Sequence, residues 1–251
     1  MKQPIITRDL ERKAIYTDIL IAPEDDRIYI RAMGSGEYTY EFNPFVDWSG
    51  CIFLWGDGDI DRTPYHTYTA SPEPRIIEVR GEVSFHGCIF DRKHTVAAES
   101  IGKNLLNLDH LFDGCDNLTY ISNILFRYKR EEDQEDLSYA FRNCKSLRGI
   151  PEDLFDGFDK ARFFKSTFEG CESLGSIPAD LFKPTISAED FSRTFAGCKR
   201  LKSVPEDLFS KCEKARLFDE TFAHCSRLKH IPEHMFPSGA HMKPSNLTLS
   251  R

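Results

Sequence analysis

Three aspartates at alternate positions, Asp57, Asp59 and Asp61, are the first residues in this chain whose types and spacing suggest chemistry. Alternating carboxylates open a calcium-binding loop, but Arg62 stands where such a loop needs glycine, and Tyr68 where it needs a bidentate glutamate. The segment is therefore read as a structural turn. His230 and His234 are four apart, yet Pro232 between them breaks the helix a zinc motif requires. His224 beside Cys225 suggests a thiolate pair, but Cys225 belongs to a periodic buried series and is read as packing. Gly34-Ser35-Gly36 lacks the further glycine or lysine of a phosphate loop, and no Gly-x-Ser-x-Gly elbow is present. Asn117 and Asn246 open Asn-x-Thr triplets and are read as chance matches to glycosylation acceptors. These readings leave no expected catalytic residue, metal ligand or cofactor, and no enzyme.

A second group of residues bears charge in register. Lys145 and Arg148, then Lys199, Arg200 and Lys202, then Arg227 and Lys229 recur at matching places in a repeat and form a candidate binding stripe. Glu152, Asp153, Asp180, Glu206, Asp207 and Glu233 follow one turn later as an acidic stripe. Glu172 and Gly175 interrupt the basic one. A solvated surface of mixed charge is the plain alternative to binding.

The repeat that aligns these charges is Phe-x-x-Cys-x-x-Leu-x-x-Ile-Pro-x-x-Leu-Phe. One copy runs Phe168, Cys171, Leu174, Ile177, Pro178, Leu181 and Phe182. Its cysteine recurs at Cys115, Cys144, Cys171, Cys198 and Cys225, first after 29 residues and then every 27. A fixed period of this size predicts a solenoid whose units bury one another's apolar residues. Pairs such as Phe164 with Phe168 and Phe191 with Phe195, at i and i+4, predict a short helix in each unit. The residues that follow them, Gly114, Asn143, Gly170, Gly197 and His224, occupy the left-handed position that ends it. Cys-x-x-Leu-x-x-Ile then reads as a short strand, and Pro151, Pro178, Pro205 and Pro232 as the start of a turn. The first copy has Ser122 in place of proline and a longer, charged connection from Arg127 to Asp136. Leu247 and Leu249 suggest a closing strand. The five cysteines are read as a structural ladder of buried free thiols, because like side chains stacked in parallel are poorly placed for disulfides.

The unit Phe-x-x-x-Phe-x-Gly-Cys-x-x-Leu-x-x-Ile-Pro resembles the BspA-type leucine-rich repeats of bacterial and phage-encoded surface proteins. The resemblance covers about Leu105 to Phe236 and implies adhesion or surface recognition. Upstream, Arg27–Met33 and Glu37–Phe42 read as a hairpin about Gly34-Ser35-Gly36, Cys51–Trp55 as a third strand and Arg75–Arg80 as a later one. Trp55-Gly-Asp-Gly58 with His66-Thr-Tyr68 looks like the signature of PKD-like β-sandwich domains.

The expected fold is α+β: an arm over 1–25, a PKD-like β-sandwich module over 26–82, a connector or N-terminal cap over 83–104, and over 105–251 a five-rung leucine-rich-repeat-like solenoid of short helices and strands with a C-terminal cap. The formal net charge of −7 speaks against nucleic acid, and no apolar run reaches the length of a membrane span. The reading shows no signal peptide. The expected function is non-enzymatic surface recognition, adhesion or structural decoration, on a phage virion or other exposed surface. Its partner is expected to be a protein or surface glycan, with a virion or tail protein held through the N-terminal module. The alternative is a cytoplasmic scaffold that binds a protein partner.

Overall fold

A computed structural model describes residues 27–69, 73–103, 107–127 and 136–240. The expected arm over 1–25, the tail with Leu247 and Leu249, and most of the charged connection after Arg127 lie outside the described residues.

Strand β1 (Arg27–Ala32) is the centre of the N-terminal half because both of its edges are taken. It pairs antiparallel with β6 (Arg75–Arg80) on one side and with β7 (Thr95–Ser100) on the other. β3 (Ile52–Leu54) and β4 (Ile60–Asp61) extend the sheet beyond β6. β8 (Tyr120–Ile121) joins β7 in parallel, so the six-stranded sheet, in the order β4-β3-β6-β1-β7-β8, is mixed. β2 (Tyr38–Glu41) pairs only with β5 (Tyr65–Tyr68), in a separate two-stranded sheet.

This architecture corrects the α+β reading. Among the described residues there is no α-helix, only a single 3₁₀ turn at Glu233–Met235. The β-sandwich-like module is replaced by the mixed sheet, two of whose strands lie beyond residue 82. The hairpin about Gly34-Ser35-Gly36 does not form either. β1 is already paired on both edges, and β2 turns away to β5.

The helix-and-strand solenoid over 105–251 is likewise overturned, and the hydrogen bonds show why. In a helix the Phe168 amide would bond to the Phe164 carbonyl, four residues back. Instead, alternate amides leave the segment altogether. Those of Phe164, Ser166, Phe168 and Gly170 donate to the carbonyls of Asp190, Ser192, Thr194 and Ala196 in the next repeat, at 2.7–2.9 Å. The other alternate amides close four-residue turns, Thr167 to Phe164, Glu169 to Ser166 and Cys171 to Phe168. Ser166 has a φ of 55°, and His110, Tyr139, Arg193 and Glu220 have 56–62° at the matching place; this left-handed residue breaks any helix between the two phenylalanines. Phe164 and Phe168 still share one buried face, because alternating turns also return every fourth residue inward.

The expected left-handed position after the second phenylalanine is occupied, with φ between 59° and 78° at Gly114, Asn143, Gly170, Gly197 and His224. It ends a run of turns instead of a helix. Successive repeats place like side chains over one another. Phe112, Phe141, Phe168, Phe195 and Phe222 stack with centroid steps of 5.3–5.7 Å. Offset stacking of this kind adds about 0.5–1.5 kcal/mol per pair beyond burial. A single apolar cluster runs from Ile28 to Met235, so the sheet and the repeats share one core.

Candidate functional site

The ladder cysteines 115, 144, 171, 198 and 225 are buried and free, as are Cys51, Cys88 and Cys212. Their thiols also bond: the Sγ atoms of Cys144, Cys171, Cys198 and Cys225 donate to the carbonyls of Phe112, Phe141, Phe168 and Phe195 at 3.1–3.3 Å. Burial pushes these thiols up, Cys225 to about 11. They are held as thiols, and thiolate chemistry at Cys225 has no support. The ladder extends one step further than sequence reading found. Phe85-x-Gly87-Cys88 repeats the Phe-x-Gly-Cys motif 27 residues before Cys115, and Cys88 Sγ lies 3.8 Å from Cys115 Sγ. The motif itself was the available signal; the divergent residues after Cys88 hid it.

Exposed charges fall into two kinds. Some are paired between neighbouring repeats. Arg142 grips Asp113 through two bonds of 2.7 and 2.8 Å, and Arg162 grips Glu189 in the same way at 2.9 and 3.1 Å. Arg193 bridges Glu169 and Glu220. Two residues of the expected stripe belong to this group: Lys145 pairs with Asp116 at 2.9 Å and Lys199 with Glu172 at 2.8 Å. The others, Arg148, Arg200, Lys202, Arg227 and Lys229, are exposed and form no ion pair among the described residues. Arg200 and Arg227 each stand two residues after a ladder cysteine, and Lys202 and Lys229 four residues after it. Adjacent repeats here are 5.7 Å apart at the Phe195 and Phe222 rings. The result is a block of four cations over two repeats, with Arg148 set apart from it.

A cleft of about 720 Å³ opens where the sheet meets the first repeats. Met33, Tyr38, Pro74 and Val96 give it an apolar wall. Arg31, Lys93, Glu37 and Glu73 supply charges of both signs, and Asn117, Thr119 and Ser146 line the repeat side. Tyr38 is fixed by the His94 ring, 4.7 Å away, and by Gly34, where an added Cβ would meet the Tyr38 ring at 2.5 Å. Burial, only partly offset by Arg75, pushes the Tyr38 hydroxyl up to about 12, so it is a neutral donor at pH 7. Behind the cleft, Arg31 Nε lies 2.5 Å from Oε1 of the buried Glu99, an ion pair without the alignment of a hydrogen bond. Sequence reading missed this cleft because its walls come from five separate chain segments.

The Trp55-Gly-Asp-Gly58 turn builds a third feature. His66 stacks on the buried Trp55 ring at 5.2 Å, and the Tyr68 hydroxyl donates to the Trp55 carbonyl at 2.7 Å. Asp57, Asp59 and His66 each bring one ligand atom within 4.8 Å of the others. His66 Nε2 is already engaged with Asp57 at 2.8 Å. Burial works against the Asp57 charge, but hydrogen bonds from His66 and the Asp59 amide outweigh it and hold the carboxyl below its usual range. Asp61 instead accepts the amide and hydroxyl of Thr63. His230 and His234 lie at the exposed end of the last repeat. No helix of the described residues is long and apolar enough to cross a membrane. No family model, curated protein or solved structure matches the chain.

Proposed function

We propose that this is a non-enzymatic surface-recognition protein, and that Arg200, Lys202, Arg227 and Lys229 contact an acidic polysaccharide. The supporting observation is the register of these four exposed cations, two on each of two adjacent repeats, none of them in an ion pair among the described residues, beside cross-repeat pairs such as Lys145 with Asp116 and Lys199 with Glu172. Like charges on adjacent repeats repel one another, the more so at low salt, where screening is weak. A bound polyanion removes that cost, and guanidinium groups suit bidentate carboxylate or sulfate partners. A regular column of cations fits a polymer with regularly spaced anions better than a compact ligand. The wider setting of a decoration protein on a phage particle rests on the family resemblance. The test is binding of intact protein to alginate and to a sulfated glycan, with the Arg200→Glu/Lys202→Glu variant as control.

A second reading, a scaffold for a protein partner, draws on Leu217 and Phe163. With Asp190 and Lys214 they line a hollow of about 430 Å³, and Leu217 is exposed. Loss of partner capture in Leu217→Asp, with capture retained in the charge-reversed variant, favours it.

A further inference from the structure

We infer that the cleft between the sheet and the first repeats is a carbohydrate subsite that takes one or more neutral sugar units. The inference deepens the reading above, on which it depends for the polymer but not for the sugar ring. The cleft size falls in the range of small-molecule sites, about 300–1,000 Å³.

Its chemistry selects the ligand class. Arg31 is already engaged by Glu99 at 2.5 Å, and Lys93 stands among Glu37 and Glu73, so the wall carries both signs and no positive field that would draw an anion. The amide of Asn117 and the hydroxyls of Thr119 and Ser146 offer both donors and acceptors on one side. Two of these groups are already oriented: Asn117 Nδ2 donates to the Lys93 carbonyl at 2.7 Å, and Thr119 Oγ1 to the Val96 carbonyl at 3.1 Å. Their oxygens keep acceptor capacity. Met33, 41% exposed, and the mostly buried Tyr38 supply apolar surface to the same cleft. A ligand that satisfies both sides has one C–H face and a rim of hydroxyls, which describes an uncharged pyranose ring.

The cleft also lies in register with the cation block. Asn117 and Ser146 stand two residues after Cys115 and Cys144, as Arg200 and Arg227 stand after Cys198 and Cys225. Thr119 holds the place of Lys202 and Lys229. Between them, an added Cβ at Gly149 or Gly175 would meet nothing within 4 Å, so the chain leaves open space at these two positions. One polymer lying along the repeats reaches the cleft with a neutral unit and the cations with its acidic groups.

The test is an amide NMR titration of the intact protein with maltose, cellobiose, lactose and N,N′-diacetylchitobiose at millimolar concentration, and separately with sodium sulfate. At least one disaccharide is expected to give saturable shifts at Asn117, Thr119 and Ser146. Ser146→Trp, which fills the cleft, and Met33→Asp, which charges its apolar side at an exposed position, should each weaken binding by about tenfold, the equivalent of one lost contact. Arg200→Glu/Lys202→Glu should leave disaccharide binding within about twofold while polymer binding falls, since distant sites act independently. Absence of shifts with all four disaccharides overturns the inference, as does unchanged affinity in a folded Met33→Asp protein. Shifts at the cleft with sulfate in place of sugar overturn it in favour of an anion site. Loss of polymer binding with retained disaccharide shifts, or the reverse, separates failure of the cation block from failure of the cleft.

Discussion

The thiol of Cys171 donates to the carbonyl oxygen of Phe141 at 3.2 Å, from one repeat to the one before it. The same bond recurs at Cys144, Cys198 and Cys225, so the cysteine acts as a small apolar side chain and as a donor. Cys171→Ala is therefore expected to cost about 1–3 kcal/mol, combining a lost hydrogen bond with a small void. Urea melts of the variant and parent measure it. Unchanged stability would show that the bond contributes nothing. Native thiol labelling should be slow at all five ladder positions and complete after denaturation without reductant.

Buried thiols also set a pH dependence. The folded Cys225 is pushed up to about 11 by burial, above the value of about 8.5 for a free thiol. Below about pH 8.5 both states hold the proton, and stability is independent of this group. Between there and pH 11 the unfolded chain loses the proton while the folded chain keeps it, so stability falls as pH rises. Each such thiol contributes up to about 1.4 kcal/mol per pH unit across this window. Urea midpoints from pH 8 to 10 should decline, and Cys225→Ala should decline less steeply than the parent.

The phenylalanine column gives a larger effect. Phe168 is fully buried between Phe141 and Phe195, at 5.3 and 5.6 Å. Phe168→Ala should cost about 3–5 kcal/mol and Leu174→Ala about 2–5, the range for large-to-small core changes. Because one apolar cluster joins the sheet to the repeats, loss of stability in the middle repeat is expected to weaken the N-terminal sheet as well. Trp fluorescence and a probe in the repeats should report one transition. Two separated transitions would show that the halves fold independently.

What was legible in the sequence was the inward set. Phe168, Cys171, Leu174, Ile177 and Leu181 are all buried, because apolar period reports burial whatever the local backbone does. What was not legible was the backbone itself. Phe164 and Phe168 at i and i+4 are compatible with a helix or with alternating turns. The choice falls to amides that find carbonyls in the next repeat, a partner that no local window contains. The same limit applies to β1. Its alternation announced a strand, but the pairing with β6 and β7 in place of β2 depends on segments far along the chain. β7 lay in a stretch read as connector, since its buried Ala97, Ala98, Glu99 and Ser100 lack strand-like alternation. The candidate stripe was legible by register, but the pairing that removes Lys145 and Lys199 from it required the neighbouring repeats to be in place.

The cation block is tested most directly by association kinetics of the intact protein on immobilised alginate at low and high salt. Arg200→Glu/Lys202→Glu lies on exposed positions beside the buried Leu201 and should leave the melt unchanged. At low salt the parent is expected to associate faster than the variant by about tenfold or more, with the gap narrowing as salt screens the charges. Equal association rates at low salt, with both proteins folded, would contradict the assignment of this face as the binding surface.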